Sequence, residues 1–207
     1  MKHKRWYKAL MNVCDRLDGK EIEWILVGSA GSVLQGADME PNDLDLYVRS
    51  EKALKEIMNN FSALLPEKAS EVDYDNPAWL SSLTETTFTQ SFPFGFTWTK
   101  GKFFVAGFPV EVVLISESGG IPDNMTGDGI WEGGQYIWEL SKEVRVDTHT
   151  IRTVPLEIQL ESNLRRERDE RAEAIIETLN KNGYDESLLT KALAQKHQAE
   201  IKRRISR

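Results

Sequence analysis

Three acidic side chains set among apolar residues, and one glycine-serine turn, are the parts of this chain best suited to chemistry. Asp43 and Asp45 stand two apart in Asp43-Leu44-Asp45-Leu46, within a run to Val48 where polar and apolar residues alternate. Side chains two apart on a strand share a face, so the two carboxylates lie side by side while Leu44 and Leu46 turn inward. Neighbouring carboxylates repel each other, and a divalent cation between them removes the repulsion. Mg²⁺ typically takes one or two protein carboxylates together with substrate phosphate oxygens. Upstream, with thirteen residues between Ser29 and Asp43, the apolar run Trp24-Ile25-Leu26-Val27 meets the small-residue turn Gly28-Ser29-Ala30-Gly31-Ser32. Such a turn leading into a helix offers backbone N–H groups and hydroxyls to a phosphate chain. An acid pair suited to a metal and a turn suited to phosphates point together to nucleotide chemistry.

Val27-Gly28-Ser29 followed by Asp43-Leu44-Asp45-Leu46 resembles the signature of the nucleotidyltransferase superfamily, with its polymerase-beta-like fold. In that family a third carboxylate comes from a later strand. The matching position here is Glu111, the acidic residue of the apolar run Phe108-Pro109-Val110-Glu111-Val112-Val113-Leu114-Ile115. The resemblance spans roughly residues 24–115. It implies Mg²⁺ (or Mn²⁺) held by Asp43, Asp45 and Glu111, an NTP as donor, and transfer of a nucleoside monophosphate to a hydroxyl with pyrophosphate leaving. Glu111 could instead serve as general base on that hydroxyl. Gly28 and Ser29, with Ser32 on the same turn, would hold the phosphates. Arg165 and Arg168, in Arg165-Arg166-Glu167-Arg168-Asp169-Glu170-Arg171, match the basic stretch found in the helical region of small antibiotic-modifying members; a solvated face of ion pairs is the alternative. Arg49 and Lys52 are further phosphate contacts to consider. The implied acceptor is a small molecule such as an aminoglycoside or lincosamide. The alternatives are a toxin-type enzyme acting on tRNA or protein, and a non-catalytic nucleotide-binding protein of the same fold. A homodimer could complete the pocket of so small an enzyme.

Composition sets the frame. The 207 residues are 40% hydrophobic and 29% charged, enough for a substantial core in an ordinary globular protein. A net charge of −7 argues against a surface coated for nucleic acid and mildly favours a cationic acceptor, although both termini are locally basic (Lys2, Lys4, Arg5, Lys8; Lys202, Arg203, Arg204, Arg207). The single cysteine, Cys14, excludes an internal disulfide and a cysteine-based zinc site, and its helical position predicts a buried thiol. His3, His149 and His197 are scattered and form no ligand pair. With no signal-type segment and no apolar run of membrane-spanning length, a cytoplasmic location is expected.

The elements that must position these residues follow an α/β (α+β) order. The expected architecture is a mixed-sheet core over residues 1–155 and a C-terminal helical region, 156–207, packed on it. Apolar spacing predicts a helix over 4–18, a strand over 24–27, a short helix near 32–35, a strand over 43–48, and a helix from Glu51 to about Phe61 capped by Ser50. Asp73 to Pro77 reads as a turn cluster. Strands are expected over 86–92 and 94–99, with a hairpin turn at Lys100-Gly101. The alternating Phe92, Phe94, Phe96 and Trp98 are assigned to core packing, with a stacking surface as the alternative. Glu117 to Gln135 holds six glycines and suits either a substrate loop or a surface connection. Residues 136–140 and 144–154 read as short strands or a helix and a strand. Helical spacing resumes at Leu156, with Arg165 to Arg171 mid-helix, a stop at Gly183 and a last helix over 185–205.

Overall fold

A computed structural model describes residues 3–69, 71–74, 76 and 78–205. Asp75 and Pro77 of the turn cluster, and Lys2 and Arg207 of the basic termini, lie outside the described residues. In chain order the elements are α1 (Arg5–Leu17), β1 (Trp24–Val27), α2 (Gly28–Leu34), β2 (Leu44–Val48), α3 (Glu51–Asn60), β3 (Phe88–Ser91), β4 (Phe96–Val105), β5 (Phe108–Ser118), α4 (Ile137–Leu140), β6 (Lys142–Val146), β7 (His149–Thr153), α5 (Leu156–Arg165), α6 (Asp169–Asn182), α7 (Glu186–Ala192) and α8 (Gln195–Arg204). The class is mixed α/β, with seven strands of a mixed sheet and a C-terminal run of helices, as the pattern of elements predicts. Two compact units divide the chain: Met1–Trp24 with Asn42–Gly119, and Ile25–Pro41 with Gly120–Arg207.

The first unit carries strands in the order β3-β4-β5-β2. β2 and β5 are parallel, while β4 pairs antiparallel with both β5 and β3. α1 and α3 cover one face. Their inward stripes, with Trp6, Leu10, Val13 and Leu17 on α1 and Leu54, Ile57 and Met58 on α3, are buried, as are Leu44, Leu46, Val110, Val112 and Phe103 of the strands. The Phe61 ring, just past α3, stacks on Phe103 at 4.9 Å. Ser50 caps α3 as expected, its hydroxyl accepting from the Ala53 amide at 3.2 Å.

The hairpin turn expected at Lys100-Gly101 is corrected, because β4 runs unbroken from Phe96 to Val105. Gly101 is there for space: a Cβ at that position would stand 2.4 Å from the sulfur of Met58. The actual turns lie at Phe92–Gly95 and at Ala106-Gly107, whose positive φ values of 50° and 73° belong to a tight two-residue hairpin.

In the second unit β7 pairs with β1 in parallel and with β6 in an antiparallel hairpin. Residues 136–154 thus resolve into α4 and that hairpin. α2 begins at Gly28 itself, ahead of the 32–35 span expected. α5 is buried along eight consecutive residues, Leu156 to Asn163, among them Glu157, Gln159 and Glu161. Buried carboxylates must be paired or hydrogen-bonded, and these are. Glu157 accepts from Lys142 and from the Asp185 amide, and Glu161 from Arg165, from the Ala194 amide at 3.0 Å and from the His197 ring at 2.9 Å. Capture of the Ala194 amide coincides with the break between α7 and α8, where one helix over 185–205 was expected. The Arg165–Arg171 stretch is likewise not mid-helix. α5 ends at Arg165, Glu167 has φ 54°, and Arg168 is the residue before α6. α6 stops at Gly183 as expected. Among the described residues no helix is long and apolar enough to cross a membrane.

Cys14 is buried on the inner side of α1, where desolvation, reinforced by Asp15 and Asp18, pushes its thiol up from 9.0 to about 12. Because the folded state holds the proton more tightly, this group's stabilising contribution is full below about pH 9 and is lost as the pH rises through 12. Thiol alkylation at pH 9 should therefore be slow in the folded protein and fast in urea; equal rates would contradict the burial.

Candidate active site

The acid pair is positioned by strand pairing. β2 lies beside β5 with Leu44 opposite Val110, Asp45 opposite Glu111 and Leu46 opposite Val112. Paired residues share a face, so Leu44, Leu46, Val110 and Val112 go under the helices while Asp45 and Glu111 emerge together on the other side. The burial of β2, alternating between buried and half-buried residues, follows that division. Asp43, just ahead of the strand and also half-buried, continues the Asp45 row.

Next to Glu111 the structure adds two residues that the sequence reading passed over. Lys102 is its register partner on β4, and Lys100 lies one step along the same face. The Lys100 ammonium stands 3.4 Å from Glu111 Oε2 and that of Lys102 stands 3.2 Å from Oε1, all three side chains being only 12–15% exposed. A signal for them was present: the alternation Phe96, Trp98, Lys100, Lys102 is unbroken once Lys100-Gly101 is no longer read as a turn.

The same face continues into the aromatic row. Lys100 sits 4.0 Å from the centre of the Trp98 ring, and the Trp98 indole donates to Gln90 at 3.2 Å. Phe92 lies 5.6 Å from Phe94, 5.8 Å from Phe96 and 6.5 Å from Trp98. The assignment of this row to core packing is corrected. Phe94 is 64% exposed, and Phe92, Phe96 and Trp98 are half-buried.

Among the described residues no group of three or more His, Cys, Asp or Glu side chains is arranged to hold a metal ion. Adjacent carboxylates need counter-charge, and for Glu111 the two lysines supply it. Magnesium asks for less than a three-carboxylate cage, and Asp43 and Asp45, hard oxygen donors on one row, fit its chemistry.

The remaining expected site residues lie in the second unit. Gly28 has φ 65°, a conformation suited to glycine, and turns the chain from β1 into α2; Ser29 follows it and is buried. Ser32 is buried too, donating to Gln159 at 2.6 Å and to the Gly28 carbonyl at 3.3 Å, so it ties α2 to α5. Arg165 holds Glu161 and donates to the Asp128 carbonyl at 2.7 Å, fastening the glycine-rich segment, while Arg168 is exposed. That segment is organised by Asp123, which accepts from the amides of Trp131 and Gln135. Arg49 and Lys52 form surface pairs with Glu23 and Glu56.

The resemblance read from the two motifs is borne out by likeness to a family model and to a solved structure. A family model described as aminoglycoside-2''-adenylyltransferase matches residues 9–82, a stretch that contains both Gly28-Ser29 and Asp43-Leu44-Asp45. A solved structure from Thermotoga maritima, of a protein provisionally assigned as a nucleotidyltransferase, is similar with a TM-score of 0.54 and 23% identity, over 83% of this chain and 91% of that one. No curated protein sequence matches the chain.

The Glu111–Lys100 pairing makes a measurable claim. A double-mutant cycle with Glu111→Gln and Lys100→Met should return a favourable coupling of about 0.5–3 kcal/mol in urea unfolding. Additive effects of the two substitutions would show that the pair contributes nothing.

Proposed function

We propose that the protein is a metal-dependent nucleotidyltransferase that moves a nucleoside monophosphate from an NTP, with ATP favoured by the matched family, to the hydroxyl of a small-molecule acceptor. The observation that carries this reading is the register of Asp45 against Glu111, with Asp43 on the same row. In the reaction the acceptor oxygen bonds to the α-phosphorus. The bond from that phosphorus to the oxygen bridging to the β-phosphate breaks, and pyrophosphate leaves with the bridging oxygen. Glu111, oriented by a lysine on each oxygen, takes the hydroxyl proton. Asp43 and Asp45 would hold Mg²⁺ or Mn²⁺, which when bound neutralises the triphosphate and acidifies the acceptor hydroxyl. Gly28 and Ser29 are the proposed phosphate-binding residues. Ser32 supports their turn from behind, and Arg165 and Arg168 are secondary contacts. The matched family makes aminoglycosides the first acceptors to test.

Transfer of α-phosphate label from each NTP, with Mg²⁺ and pooled small-molecule acceptors, is the test. ATP should label an acceptor, and Asp43→Ala/Asp45→Ala should lower the rate at least about a hundredfold, in line with losing a principal source of transition-state charge stabilisation. Label that persists in the double variant would contradict the assignment.

A further inference from the structure

The row beyond Glu111 has chemistry of its own. Trp98 is locked by its bond to Gln90 and carries the Lys100 ammonium on its ring. From there Phe92, Phe96 and Phe94 continue to the tip of the β3–β4 hairpin, with neighbouring centroids 5.6–6.5 Å apart. The rings of Phe92 and Phe94, and of Phe94 and Phe96, lie within 30° of parallel. Gly119 makes room for them: a Cβ there would come within 2.9 Å of both Phe94 and Phe96. A cluster of rings with Phe94 stacked on both Phe92 and Phe96 and exposed at its end, running back to a pair of ammonium groups and a carboxylate, is built to take a flat ring and an anion together.

The geometry points to this row as the acceptor subsite of the transferase proposed above, and to an acceptor that carries a flat unsaturated ring and an anionic group. The inference rests on that transferase reading. It departs from the polycationic acceptor that the matched family suggests. An aminoglycoside would need free carboxylates on the acceptor side, yet both oxygens of Glu111 face lysines, and Lys100 and Lys102 would repel its amines. A flat ring instead gains stacking on Phe94 and Phe96, and its anionic group gains the lysines, which puts its hydroxyl near Glu111. Phe92, Phe94 and Phe96 are specificity residues in this account, with Lys100 reading the charge.

The test uses the full chain with Mg²⁺ and a non-hydrolysable ATP analogue, whose own binding is measured first. Cytidine monophosphate, which joins a flat ring, a phosphate and free hydroxyls, is then titrated against the analogue complex, followed by a short single-stranded RNA and by kanamycin. Tryptophan fluorescence is the readout. Cytidine monophosphate should bind with quenching that is lost in Trp98→Phe. Phe94→Ala, a change at an exposed side chain, should weaken it about tenfold while analogue binding stays unchanged. RNA binding far tighter than the mononucleotide, with the same dependence on Phe94, would support the subsite and identify a polymer as the source of the ring. Kanamycin competing for the site, or failure of both nucleotide probes while the analogue binds, would overturn the acceptor inference and leave the transferase standing. Failure of the analogue alone, with Phe94-dependent binding of cytidine monophosphate intact, would overturn the transferase reading and keep the surface.

Discussion

The parallel pairing of β2 with β5 is the constraint on which the candidate site depends. Setting Leu44 against Val110 and Leu46 against Val112 buries four aliphatic side chains under α1 and α3. The same register leaves Asp45 and Glu111 adjacent on the opposite face, because successive strand residues alternate. A slip of one residue would drive the acids into the apolar layer and lift the leucines and valines out of it, so the hydrophobic pattern itself enforces the placement of the carboxylates. The apolar core and the acid row are two faces of one register.

Acids placed by packing need counter-charges, and each unit answers this differently. In the first unit Glu111 is met by Lys100 and Lys102 from the neighbouring strand. In the second, Glu157 and Glu161 on the buried helix α5 are met by amides as well as cations. Their bonds fix the chain at Asp185 and Ala194, on either side of α7. A buried carboxylate that collects backbone amides organises loops and is costly to disturb. The contrast is between a carboxylate met by side-chain ammonium groups and carboxylates that also anchor the backbone.

Much of this was legible locally. Helical spacing in α1, the cap at Ser50, the stop at Gly183 and the two motifs are short-range features, and a reader of sequence meets them whole. Gly101 was not legible as a spacer, because a glycine that clears Met58 looks the same as one that turns a hairpin. That single misreading also cut the row from Phe96 to Lys102 and hid the lysines. The boundaries at Arg168 and Ala194 escaped for another reason: Ala194 is captured by a glutamate 33 residues away, and no local pattern announces such a partner. Phe94 looked like core by its alternation with Phe92, Phe96 and Trp98, but alternation assigns a face and does not say whether that face is covered.

The most direct test of the central claim is a crystal structure with Mg²⁺ and a non-hydrolysable ATP analogue. The account predicts a magnesium ion about 2.0–2.1 Å from carboxylate oxygens of Asp43 and Asp45 and bound to the analogue's phosphates. A nucleotide bound with its metal away from both aspartates, or a site on the β2–β5 face still held only by protein side chains at saturating analogue, would contradict it.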